Sequence, residues 1–242
     1  MEKKKILLII PAYNEEENIL NTYQSIINYN KKNKTNYDCI VINDGSTDHT
    51  SQICHENHIP VIDLVHNLGI GGAVQTGYKY AYENHYEIAV QLDGDGQHDV
   101  NYVQKIIEPI LSNESDMVIG SRFIEQIDTF QSTRARRVGI RMISNLIKLV
   151  TGKRIMDTTS GFRAVNKEII SLFQESYPLE YPEPLTTTEL LKRKYKVKEV
   201  SVEMNEREGG VSSIRRWKSI YYMVNVILSL MIIGLRRYPK CR

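Results

Sequence analysis

Cysteine is scarce in this chain, and the three present, Cys39, Cys54 and Cys241, are odd in number and share no zinc-like or redox spacing. A disulfide framework is thereby excluded, and reduced thiols in a cytosolic setting are expected. An excess of one charge is missing too. With 31 Lys and Arg against 29 Asp and Glu, the formal net charge of +2 is too small by itself to draw the chain to nucleic acid. No secretory leader is read at the start: residues 6–10 after three lysines imitate one, but Pro11 ends the apolar run after five residues and Asn14-Glu15-Glu16-Glu17 follows. A P-loop lysine followed by Ser or Thr is absent. Gly69, Gly71, Gly72 and Gly77 lack the Gly-x-Gly-x-x-Gly spacing of a dinucleotide fingerprint, and close helix packing explains them at least as well. The six histidines show no ligand pattern, and His55 and His58, one helical turn apart, read as surface residues.

What is present is a full core and a regular alternation. With 41% hydrophobic and 25% charged residues, the chain reads as one domain with an appendage. Short apolar runs at 5–10, 37–42, 61–65 and 87–92 predict strands, and amphipathic patterns at 16–31, 47–55, 72–84 and 100–111 predict helices between and after them. The alternation continues with a strand at 117–120. Crossovers of this kind imply an α/β fold with a mostly parallel, doubly wound sheet whose ligands sit at the carboxyl ends of the strands. Four polar loops fall there: Pro11-Ala12-Tyr13-Asn14-Glu15, Asn43-Asp44-Gly45-Ser46, His66-Asn67-Leu68-Gly69 and Asp93-Gly94-Asp95. Two carboxylates spaced by bare glycine at a strand end suit a hard divalent cation such as Mg2+ or Mn2+, which takes one or two carboxylates plus substrate phosphates. An EF-hand is ruled out, since its sixth and twelfth loop positions would be His98 and Gln104. A nucleotide-sugar site is the better reading of the four loops.

The second half changes character. Arg134, Arg136, Arg137 and Arg141 crowd ahead of and into an expected helix at 140–151, either as a solvated basic face or as an anion site. Residues 219–235 form an apolar run with Arg215, Arg216, Trp217 and Lys218 before it and Arg236, Arg237 and Lys240 after. Seventeen residues sit at the lower limit for spanning a bilayer, and the cationic and aromatic flanks suit an interface. The helix is expected to span the membrane, lie on it or pack in an oligomer.

In order and spacing, Pro11 to Glu15, Val41-Ile42-Asn43-Asp44-Gly45-Ser46-Thr47-Asp48, Asn67-Leu68-Gly69, Asp93-Gly94-Asp95-Gly96-Gln97, Gly120-Ser121-Arg122-Phe123 and Asp157-Thr158-Thr159-Ser160-Gly161-Phe162-Arg163 jointly resemble the family 2 glycosyltransferases. The resemblance covers residues 6–214 and points to the branch of dolichol-phosphate mannose synthases and bacterial polyprenyl-phosphate glycosyltransferases. It implies a GT-A nucleotide-sugar domain over 1–214 and a membrane-associating or oligomerising C-terminal helix over 215–242. It assigns Pro11, Tyr13, Glu15, Asp44, Gly69 and Asp93 to the nucleotide, and Asp93, Asp95 and Gln97 to Mg2+ or Mn2+. Arg122 and Arg136 match arginines that hold an acceptor phosphate, Asp157 matches an acid near the acceptor, and the family's serine four residues beyond the second arginine is Ile140 here. Residues 205–214 resemble a closing loop in which Arg207 supplies a cation.

The implied activity is inverting transfer from a UDP- or GDP-linked sugar to a polyprenyl phosphate at the cytoplasmic membrane face, by a peripheral or single-helix anchored protein. A glycan hydroxyl acceptor would need a base instead, for which Asp157 or Glu183 are the candidates. Membrane lipid, a small membrane partner or a second copy are the expected partners, and nucleic acid is not. A non-catalytic partner subunit is the remaining alternative.

Overall fold

The computed structural model describes residues 4–124, 134–204 and 216–238, with side chains except at 134–137 and 216–220. Its strands are β1 (Ile6–Ala12), β2 (Asp38–Asn43), β3 (Val61–Asp63), β4 (Ile88–Gln91), β5 (Met117–Ser121), β6 (Arg163–Asn166) and β7 (Val197–Ser201). They form one sheet in the order β3-β2-β1-β4-β6-β5-β7. Only β6 runs against its neighbours, and the remaining described pairings are parallel.

The helices are α1 (Ile19–Asn33), α2 (Thr50–Glu56), α3 (Gly69–Glu83), α4 (Val103–Leu111), α5 (Arg134–Thr151), α6 (Lys167–Glu175), α7 (Pro182–Lys192) and α8 (Arg216–Leu235). Strand alternation sorts them. Every residue of β1 is buried, as a central parallel strand covered on both faces requires. Leu7 and Ile9 point into one apolar cluster with α3, α5, α6, α7 and α8. Ile6, Leu8 and Ile10 point into the other with α1, α2 and α4, because successive side chains leave a strand on opposite faces.

Gly77 shows how tightly α3 lies on β1: a Cβ there would fall 2.2 Å from Ile9 Cγ2. Gly71 similarly abuts the backbone of Pro178 and Leu179. Close packing, and not a dinucleotide turn, accounts for these glycines.

α8 docks on α5 and α7. Val226, Leu230 and Ile233, spaced for one helix face, are buried in the first cluster, and the Gly234 carbonyl accepts a 2.7 Å bond from Lys192 Nζ. A second stripe of the same helix stays exposed: Tyr221, Val224, Leu228, Met231, Ile232 and Leu235. Val138, Met142 and Leu149 of α5 are exposed as well. Among the described residues no helix is long and apolar enough to cross a membrane.

Candidate active site

The carboxyl ends of β1, β2 and β4 open on a cleft of about 590 Å³. Its walls include Pro11, Tyr13, Glu15, Asp44, Asn67, Gly69, Asp93, Asp95, Gln97 and Glu183, with Ala73, Gln91, Thr159 and Gly161 among the remaining lining residues. Parallel register brings the loops together: Ala12 pairs with Asn43, Ile9 with Gln91, and the Asp44 N–H donates to the Ala12 carbonyl at 2.8 Å.

On the side of β2 and β3, Asp44 is buried and accepts from the Leu68 N–H at 2.7 Å. Burial pushes its carboxyl above the usual range, against the opposing pull of the Leu68 and Gly69 amides. Beside it Gly45 holds φ +66, and a Cβ there would sit 2.8 Å from the Asn67 nitrogen. Only glycine meets both demands, positive φ and contact with a neighbouring backbone. Asn14 links the first loop to the second: its N–H donates to Ser46 Oγ at 2.9 Å and its Oδ1 accepts from the Thr47 N–H at 2.8 Å. Tyr13 stands at the rim with 48% of its surface exposed, free to offer a ring face.

The Asp93 to His98 loop closes the other wall. Asp95 is buried and accepts from the Gln97 N–H at 3.1 Å, while the Asp93 side chain keeps about 33% exposure. Gly161 lies against Asp93 and Gln91, where a Cβ would come within 3.1 Å of Asp93 Oδ1 and of Gln91 Nε2. Among the described residues no three His, Cys, Asp or Glu side chains gather to hold a metal. The cleft wall instead offers two carboxylates, Asp93 and Asp95, and the Gln97 amide. Such a hard, oxygen-only set fits Mg2+ or Mn2+ if diphosphate oxygens complete the shell.

Arg122 and Asp157 form a buried fork beside the cleft. Nε and Nη2 of Arg122 donate to the two carboxylate oxygens at 2.7 and 2.8 Å, and Nη2 also reaches Thr159 Oγ1 at 3.1 Å. Burial opposes the guanidinium charge, but Asp157 outweighs it and holds the Arg122 pKa above its ordinary value. Asp157 is fully buried, and its N–H is held by Glu199 at 2.8 Å. Both of its oxygens are engaged, so it faces the arginine and not the cleft.

Glu183 is no exposed loop acid between prolines. Tyr181 turns into the left-handed region at φ 53, Pro182 opens α7, and Glu183 falls in its first turn at the cleft wall. Burial, with a smaller push from Asp93, raises its carboxyl above the usual range despite nearby Arg163.

Of the residues singled out in sequence, those on the nucleotide and metal loops share the cleft with Glu183. Arg122 and Asp157 pair next to it. Arg136 lies on α5 with its side chain outside the described residues, as does the whole of Arg207. Three residues were missed. His98 is buried and its Nδ1 accepts from the Asp93 N–H at 2.9 Å. Gln91 is a polar residue buried in β4 on the cleft. Arg163 donates to the Ser160 carbonyl at 2.7 Å and the Glu183 carbonyl at 2.9 Å, tying β6 to the start of α7. A polar side chain inside an apolar strand was the available signal for Gln91, and adjacence to the acidic loop for His98.

Residues 7–173 match the model of Glycosyl transferase family 2. A UDP-N-acetylglucosamine–dolichyl-phosphate N-acetylglucosaminyltransferase of Methanococcus voltae is 33% identical over 81% of this chain and 83% of its own length. A dolichol-phosphate mannosyltransferase of Pyrococcus furiosus is 30% identical over 94% of this chain and 64% of its own. Among solved structures, glucosyl-3-phosphoglycerate synthase of Mycobacterium tuberculosis, in complex with Mn2+, UDP and phosphoglyceric acid, superimposes with a TM-score of 0.69 at 18% identity, covering 96% of this chain and 79% of that one. That likeness is one of fold.

Proposed function

Given that the chain belongs to Glycosyl transferase family 2, we propose that this glycosyltransferase moves a sugar, with inversion, from a UDP- or GDP-linked donor to a polyprenyl phosphate at the cytoplasmic membrane face. The observation that carries the reading is one cleft in which Pro11, Ala12, Tyr13, Glu15, Asp44 and Asn67 meet the oxygens of Asp93, Asp95 and Gln97, with a fixed arginine fork alongside. The names of the relatives from Methanococcus and Pyrococcus support the acceptor class.

In the transfer an acceptor phosphate oxygen bonds to the anomeric carbon as the bond from that carbon to the diphosphate breaks, and the electron pair leaves with the nucleoside diphosphate. Held by Asp93, Asp95 and Gln97, Mg2+ or Mn2+ would offset the departing charge. Pro11, Tyr13, Glu15, Asp44 and Gly69 hold the nucleotide. Arg122 and Arg136 hold the acceptor phosphate, with Asp157 keeping the Arg122 fork aimed so that no reorganisation is needed. An anionic acceptor needs positioning more than a base. Residues 205–214 lie outside the described residues, and on their sequence alone Arg207 is assigned to the diphosphate.

Residues 1–214 are the catalytic unit in this reading and 215–242 the element that meets the membrane. The exposed stripe of α8, with Arg236 and Arg237 at its end, supports a helix lying at the surface of an anionic leaflet. A small membrane partner or a second copy would meet the same stripe.

A hydroxyl acceptor is the second reading, favoured by one observation: Glu183 stands on the cleft wall with a raised pKa, which suits a proton acceptor. The test is a panel of nucleotide sugars offered with polyprenyl phosphate or a glycan, with Mg2+ or Mn2+, following nucleoside diphosphate release. Release that depends on polyprenyl phosphate supports the first reading; release with the glycan alone transfers the assignment to the second.

A further inference from the structure

His98 ends the acidic loop, and its side chain turns back onto the residue that begins it. A backbone N–H can only donate, so the 2.9 Å contact from the Asp93 nitrogen makes His98 Nδ1 the acceptor. The ring proton therefore sits on Nε2, which faces Asp93 Oδ2 at 3.5 Å. His98 thus meets Asp93 twice, by a hydrogen bond from its backbone and by a longer 3.5 Å approach to its carboxylate. Only 2% of the His98 side chain is accessible, and its ring stacks on Phe162 at 4.8 Å with planes 14° apart. Phe162 is itself fully buried, and its carbonyl accepts from the Gly120 N–H at 2.8 Å. The backbone of His98 also bridges to Met204, the last described residue before segment 205–215.

We infer that His98 is a positioning residue for the metal-binding loop: it orients the Asp93 carboxylate and joins that loop to Phe162, just before β6, and to Met204. It is not itself a ligand. Nδ1 is occupied by the Asp93 amide and Nε2 is turned to the Asp93 carboxylate in a buried site, so neither nitrogen is left for the cation. The inference rests on the proposed metal-dependent reading of the site. Partners that orient a metal ligand from behind commonly change affinity about 10–100-fold when removed.

The experiment is direct Mn2+ binding, read by the electron paramagnetic resonance signal of free Mn2+, with UDP and without acceptor. His98→Phe keeps a ring against Phe162 but removes both nitrogens, whereas His98→Asn restores an acceptor near the Nδ1 position. Expected are a cooperative melt for each variant, Mn2+ affinity about 10–100-fold weaker in His98→Phe, and recovery of at least part of that loss in His98→Asn. Mn2+ affinity within twofold of wild type in folded His98→Phe overturns the inference. Should His98→Phe fail to fold, nitrogen NMR of 15N-histidine-labelled wild type decides: the Nε2–H tautomer with and without saturating Mg2+ and UDP supports it. An Nδ1–H tautomer, or a ring nitrogen shifted as a metal ligand, overturns it. Wild type that binds no Mn2+ in the presence of UDP would instead remove the metal-dependent reading beneath it.

Discussion

Three acids near the cleft have different surroundings, and each environment dictates a different response to mutation. Asp93 is partly exposed and its carboxylate approaches His98 at a long 3.5 Å. Asp93→Asn should therefore leave the melt close to wild type while lowering turnover by on the order of 10²–10³-fold, as expected when one charge-stabilising group is lost. Nucleoside diphosphate release beside a circular dichroism melt measures both. Asp157 is the opposite case. Removing it in Asp157→Ala strands the Arg122 charge inside the protein, which costs about 3–5 kcal/mol and should appear in chemical denaturation whatever the assay conditions. Glu183 has a folded pKa raised above its unfolded value, so the folded state binds the extra proton. Its unfavourable contribution is absent below the unfolded pKa and grows as pH rises through the unfolded and then the folded pKa. Glu183→Gln should thus melt like wild type near pH 4 and above it near pH 7. An unchanged difference across that range would show that the carboxyl is not strained by burial. The acidic pair and the other loops that line the cleft were legible in sequence because short polar motifs at strand ends are local. The Arg122 fork was not, since its two halves are 35 positions apart and meet only through the sheet.

Among the elements, the first five strands and the first four helices were readable from periodicity, with ends shifted by a few residues. The stretch holding β6, α6, α7 and β7 was not resolved into elements. β6 is only four residues long and enters the sheet antiparallel, and α7 follows a left-handed Tyr181 with two prolines and three threonines in its turns, a composition that suggests a loop. Tertiary packing overrides that preference: Leu185, Leu190 and Leu191 are buried, and Arg163 bonds to Thr186 at 3.1 Å. The two faces of α8 make the same point from the other side. Leu230→Ala empties a buried site and should cost about 2–5 kcal/mol, whereas Leu228→Ala on the exposed stripe should stay within about 0.5 kcal/mol. Paired thermal melts of the two variants check the contrast.

For the whole molecule, the exposed stripe predicts a division of labour in which the domain folds around one side of α8 and offers the other to lipid. Leu228→Glu together with Met231→Glu should abolish flotation with anionic liposomes while leaving transfer to a short, soluble polyprenyl phosphate analogue near wild type. Equal flotation of variant and wild type would place membrane contact elsewhere. The sequence by itself determined the alternating α/β architecture, the carboxyl-edge location of the cleft and the acidic and other polar loops that line it, because these follow from periodicity and from residues close in the chain. Tertiary structure alone decided that Asp157 faces Arg122, that Glu183 reaches the cleft from a helix, that His98 stands behind Asp93, and that one side of the C-terminal helix belongs to the core. Each of these depends on groups brought together across the sheet or between its covering helices, where burial and long-range pairing set the environment, and neither is encoded in local spacing.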